Sequence, residues 1–230
     1  MRRRSLLMGV PVVLMLAACS GNDDGSVPDG DPNELVATAS TSFADAGSVA
    51  FSLSSQDVPD DVNGVSAAEG SGVIDAQEPK FAGTITGRIQ GVNGTVDIIA
   101  IGTDTWAKLF TPSYQPMDLG DLGAPNPAMF FHPTDGLPSL LGATTDLAMA
   151  KQIRDGSAIL TQVTGTIDAA PVHDLLSLGD DDGEYDITFG ITENGDLRTI
   201  TLVGDFYGDG DSTYAVTMTD YGEPVDITEP

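Results

Sequence analysis

The chain has 230 residues, 35 of them acidic and 9 basic, for a formal charge of −26. A surface this acidic repels phosphate, which argues against nucleic acid as a partner and against direct adsorption to anionic headgroups. The single cysteine, Cys19, leaves no intramolecular disulfide, so a fold of ordinary domain length has to be held by its apolar interior alone.

At the N-terminus, Arg2, Arg3 and Arg4 precede an apolar run from Leu6 to Ala18 that closes in Leu16-Ala17-Ala18-Cys19. This is a charged n-region, a short h-region and a small-residue cleavage site. The run is shorter than the ~20 residues a bilayer core needs, so it reads as an export signal and not as a permanent span. Cys19 stands where lipoprotein processing attaches a diacylglyceryl group and then cleaves. Stable anchoring needs more than one chain, because each buried methylene contributes only ~0.8 kcal/mol. Residues 1–18 are thus expected to be a removed signal peptide and Cys19 the lipidation site. Loss of the three arginines would leave 6 basic against 35 acidic residues, a charge of −29. Residues 19–32, acidic and rich in Gly and Pro, predict a flexible tether, and residues 33–230 a single domain.

Asp31-Pro32 supplies an N-cap and a first-turn proline, and Leu35, Val36, Ala39, Phe43 and Ala46 recur at helical spacing up to Gly47. Alternating segments follow at Ser48 to Ser54, Gly70 to Ala76, Lys80 to Gln90, Gly94 to Ile101 and Thr105 to Phe110, with Asn93-Gly94 read as a turn. From Thr111 to Ala150 the chain is apolar but broken by six prolines. Strands resume at Ala158 to Ile167, Glu184 to Thr192, Leu197 to Tyr207 and Thr213 to Tyr221, the middle pair joined by the hairpin signal Glu193-Asn194-Gly195-Asp196. A short helix over Ala169 to Leu178 puts Val172, Leu175 and Leu176 on one side. In the strand beginning at Glu184, Tyr185, Ile187, Phe189 and Ile191 share one face, so one side of a large antiparallel sheet is apolar and the helices have that side to pack on. Glycines in the strands, Gly83, Gly87, Gly165, Gly190 and Gly204, permit sharp curvature and can leave room above the backbone.

Catalytic constellations are wanting. His132 beside the Asp135-Gly136 turn reads as a loop residue and His173 lies in the short helix; no nucleophile elbow, P-loop or dinucleotide fingerprint is present. The acidic runs Asp180-Asp181-Asp182-Gly183-Glu184 and Asp205, Asp209, Asp211 do not complete a calcium loop and read as solvated turns, so no metal or cofactor is expected.

The order of Asn126-Pro127, His132-Pro133-Thr134-Asp135-Gly136-Leu137-Pro138-Ser139-Leu140-Leu141, Asp155-Gly156 and the strand Ile159 to Ile167 resembles the central part of the LppX/LprG (LppX_LprAFG) lipoproteins of actinobacteria. Trp106 with Lys108-Leu109-Phe110-Thr111-Pro112, and the ending from Asp220 to Pro230, are similar to the same family. The resemblance implies an α+β fold: a strongly curved antiparallel sheet, a half-barrel, with short helices over its concave face and a hydrophobic cavity between, as in LolA and LppX. It also implies a non-enzymatic, membrane-anchored envelope protein that binds and carries or chaperones lipid or glycolipid. The expected partners are that cargo, the membrane through acylated Cys19, and an envelope lipid exporter. Trp106, Phe130 and Phe131 are then expected at the entrance or floor of the cavity, and Leu137, Leu140, Leu141, Val172, Leu175 and Leu176 on its lid side. The alternative is a surface-anchored structural or interaction lipoprotein with a filled core.

Overall fold

The computed structural model describes residues 27–230 apart from Gln90, Phe110 and Thr111. The expected signal, Cys19, most of the tether and the expected strand end at Phe110 lie outside the described residues. Helix α1 (Pro32–Asp45) starts on Asp31, whose side chain accepts from the Asn33 backbone N–H, and buries Val36, Ala39 and Phe43 at helical spacing. Strands β1 (Ser48–Gln56), β2 (Gly64–Val73), β3 (Lys80–Ile89), β4 (Val92–Ile101), β5 (Asp104–Lys108) and the two-residue β6 (Gln115–Pro116) form a meander. After two 3₁₀ turns, Gly120–Leu122 and Pro127–Phe131, come α2 (Leu137–Ala143), β7 (Thr145–Asp155), β8 (Ala158–Asp168), α3 (Ala169–Leu176), β9 (Glu184–Thr192), β10 (Leu197–Gly204) and β11 (Ser212–Thr219).

All eleven strands belong to one antiparallel sheet, which is not closed, in the order β6-β5-β4-β3-β2-β1-β11-β10-β9-β8-β7. The two meanders join where β1 pairs with β11, Phe51 opposite Met218. This order has a topological consequence: the chain leaves one sheet edge at β6 and re-enters at the opposite edge with β7. The segment between them must therefore cross the sheet. It does so on the apolar face, where the Pro127–Phe131 turn meets β2, β3 and β4, α2 and α3 meet β8, and α1 spans β10 and β7. That face carries Phe51, Phe81, Ile98, Val163, Ile187, Phe189, Ile200 and Val216, all buried, while Ser52, Ser54 and Glu69 on the other are exposed.

Four expectations are corrected. Strand β2 runs Gly64–Val73, not Gly70 to Ala76, because its partly exposed first half pairs with the end of β3. Asn93-Gly94 is not a turn: both residues lie within β4, Asn93 opposite Arg88 and Gly94 opposite Gly87, and the hairpin closes between Ile89 and Val92 with Gly91 at φ 81°. A two-residue loop there keeps the ladder intact for three more pairs. The broken segment ends earlier than expected, because β7 begins at Thr145; as the outermost strand it has no fully buried residue and so no alternation to read. The short helix stops at Leu176, where Ser177 takes a left-handed φ of 52°.

The strand glycines divide into two kinds. Gly70 and Gly83 face each other across β2 and β3, and a Cβ on Gly83 would come within 2.1 Å of the Glu69 carbonyl oxygen. There the space is filled by neighbouring backbone, and at Gly165, Gly190 and Gly204 by the side chains of Thr144, Thr199 and Tyr185, so these glycines do not leave the room expected of them. Gly94 is open, with no atom within 4 Å of where its Cβ would stand.

Candidate functional site: an apolar cavity under the crossing segment

Between the β2–β5 half of the sheet and the crossing segment lies a cavity of 320 Å³. Its sheet side is built from Val65, Ile85, Val96 and Ile98, residues that alternation and register place on the inner face. Its roof is Leu109, Met117, Leu119, Leu122, Ala124 and Pro125, closed at one side by Leu176 and Leu178. Exposed Asn63, Gly64, Gly94, Gly123 and Ser177 mark the mouth. An apolar recess of 20 Å³ shares Val65, Ile85, Ala124, Pro125, Leu176 and Leu178 with this cavity and ends on Phe51, Phe81 and Phe130.

The roof is held at both ends. The Met117 N–H donates to the Thr105 carbonyl at 3.0 Å, and the Thr105 hydroxyl returns a bond to the Met117 carbonyl. Asn126 Nδ2 donates to the Gly102 carbonyl at 2.8 Å while its Oδ1 accepts from the Ala128 N–H, capping the next 3₁₀ turn. Between these anchors the chain is bonded mainly to itself: Asp118 accepts from the Gly120 N–H, and Gly123 closes the turn at φ 70°. Near the mouth, the Tyr207 hydroxyl meets that of Tyr214 at 2.5 Å and lies 3.6 Å from where a Gly64 Cβ would stand. Burial raises the pKa of both phenols, that of Tyr214 strongly, so this pair stays neutral.

Of the residues expected at the cavity, Leu176 is in the wall and Phe130 in the recess. Phe131 sits one layer deeper, its ring parallel to that of Phe81 at 6.0 Å and seated over Gly72, where a Cβ would approach within 2.2 Å. Leu137, Leu140, Leu141, Val172 and Leu175 are buried in the packed layer of α2 and α3, away from the cavity walls. Trp106 is half-buried on the opposite face of β5 from buried Ala107, beside Ile99. Arg88 and Gly94 are in the cavity wall without having been expected there, Gly94 having the sequence signature of a turn. Arg88 has the strand parity of the wet face and reaches the cavity at the end of the hairpin; the signal that marks it is the scarcity of cations in so acidic a chain.

His132 is used structurally. Its Nδ1 accepts from the Asp135 N–H at 3.0 Å, leaving Nε2–H to donate to the Ala76 carbonyl at 3.1 Å. His173 Nδ1–H donates to the Gly179 carbonyl at 2.8 Å, fixing the end of α3. Among the described residues no three His, Cys, Asp or Glu side chains converge to hold a metal ion.

The comparisons agree with this architecture. A family model described as LppX_LprAFG lipoprotein matches residues 31–227. No curated protein matches the chain in sequence. The structure of LprF from Mycobacterium bovis is similar at TM-score 0.75 and 16% identity, covering 89% of this chain and 99% of that one. The Mycobacterium tuberculosis lipoprotein LppX is similar at TM-score 0.61 and 17% identity, covering 86% and 98%. At these identities the structural likeness speaks for the fold: an open antiparallel sheet with short helices on one face. The sequence match, spanning nearly the whole described chain, goes further, and the chain belongs to the LppX_LprAFG lipoprotein family.

Proposed function

We propose that the protein is an envelope lipoprotein, cleaved after residue 18, acylated at Cys19 and displayed on a tether (residues 19–32) at the extracytoplasmic face, whose domain (33–230) binds lipid and carries or chaperones it without catalysis. The observation that supports lipid binding is the cavity. It is apolar in all but a few wall residues, and 320 Å³ falls at the low end of the ~300–1,000 Å³ usual for ligand sites. That is room for an alkyl chain and too little for several. At ~0.8 kcal/mol per methylene, enclosing a chain of about ten carbons removes on the order of 8 kcal/mol of hydrophobic penalty, enough to make carriage through water feasible. The recess behind Leu176 extends the same apolar path toward Phe130.

The test is organic extraction of the Cys19→Ser chain, made in its native envelope, with mass spectrometry of what is released. A bound alkyl species near one per protein is expected. Gly94→Leu should lower that occupancy without unfolding the domain, because the new side chain meets only open space at the mouth. Protein free of lipid, with Gly94→Leu indistinguishable from its parent, would favour the filled-core alternative.

A further inference from the structure

Beyond residue 27 the chain has six cations: Lys80, Arg88, Lys108, Lys151, Arg154 and Arg198. Lys80 pairs with Glu78 at 3.2 Å, Lys108 with Asp97 at 3.6 Å and Arg198 with Asp155 at 2.7 Å. Lys151 and Arg154 are exposed on the edge strand β7. Arg88 differs from all five. It is half-buried, it is the one charged residue in the cavity wall, and its Nε is shut off from solvent without a hydrogen-bond partner among the described residues. Arg88 also lines a neighbouring surface groove with Asp57 and Asp60, yet among the described residues neither forms an ion pair with it.

An unmet buried N–H on a charged group is costly, and native proteins leave few of them. In a chain with 35 acidic side chains, carboxylates are the most available partners, so an arginine that has none and faces a cavity is placed for an anion from outside. The guanidinium presents a planar fork that fits two anionic oxygens at once. Deeper in, Ile85, Val96, Ile98 and Leu119 offer only apolar surface.

We infer that the cavity binds a single-chain amphiphile with one singly charged head, a carboxylate, its alkyl chain lying along Ile85, Val96 and Ile98 and its head held by Arg88. The inference rests on the lipid-binding reading above and adds the headgroup. The surrounding acidity works in the same direction as a filter, since a head with several charges meets repulsion from the rest of the surface while one charge is offset by Arg88.

Calorimetric titration of the Cys19→Ser chain with dodecanoate and with uncharged monododecanoyl glycerol, each below its micelle concentration, tests it. Arg88→Gln should weaken dodecanoate about tenfold or more and leave the glyceride within about twofold, as expected for loss of a charge-assisted hydrogen bond. Arg88→Lys should recover part of the loss, and melting curves of both variants show that the fold survives. If both probes bind but Arg88→Gln changes neither, the headgroup assignment is overturned while lipid binding stands. If neither probe binds the parent chain and Gly94→Leu makes no difference, the lipid-binding reading falls and takes this inference with it.

Discussion

Leu140 and Leu176 are both buried leucines on short helices, yet the layer each occupies makes opposite demands on a larger side chain. Leu140 is fully buried among packed neighbours, so Leu140→Trp overfills the layer and should cost ~1–3 kcal/mol while bound lipid per folded protein is unchanged. Leu176 fronts both cavity and recess, so Leu176→Trp has space to enter and should lower co-purified lipid with little change in melting. Lipid content and melting temperature measured on the same samples separate the two; a large stability loss with full lipid in Leu176→Trp would count against the cavity. At this scale the sequence revealed composition better than position. Phe130 and Leu176, which border the recess, lie on or beside the crossing segment. Leu137, Leu140 and Val172 share the same apolar character, and only three-dimensional packing sets them apart. Arg88 was hidden because strand alternation assigns it to the wet face, and the hairpin's geometry at its end is not written in a period of two.

Among the elements, α1 shows how one residue sets a boundary. The Asn33 side chain and backbone N–H both donate to Asp31 Oδ1, at 3.1 and 2.9 Å, which holds the Asp31 carboxyl below its ordinary range. A carboxyl whose pKa is lowered by folding stabilises the fold above its unfolded value of ~3.9, and the contribution is lost as pH falls through the folded value. Asp31→Ala should therefore melt below the parent at neutral pH, with the gap narrowing in acid, while Asp31→Asn keeps most of the cap at every pH. Thermal melts across an acid series check this; a gap independent of pH would mean that the charge contributes nothing. Capping and helical spacing are local, which is why α1 was readable to within two residues. The β9–β10 turn was also readable, since Tyr185, Ile187, Phe189 and Ile191 are buried on one face and Gly195 sits at φ 89°, although β10 ends at Gly204 and not at the expected Tyr207. Strand β7 was not, because an edge strand with Lys151, Arg154 and Asp155 along it protects the sheet from further pairing at the cost of any hydrophobic pattern.

For the whole molecule, the question is whether anchor and domain are separable. Every buried apolar residue among the described residues lies between Val36 and Ile227. No described helix is long and apolar enough to cross a membrane. With 6 basic against 31 acidic residues, a charge of −25, residues 33–230 have no net electrostatic attraction to anionic lipid, and their few cations are mostly paired or dispersed. On the proposed reading, attachment falls to acyl chains on Cys19, at ~0.8 kcal/mol per buried methylene. Cys19→Ser should accordingly move the protein from the detergent phase to the aqueous phase on phase separation, with the circular dichroism and melting of the domain unchanged. Vesicles containing anionic lipid should recruit the released chain no better than neutral ones. A Cys19→Ser protein that stays with the detergent after its signal is removed would show that some other surface holds it, and acylation would no longer account for the anchor.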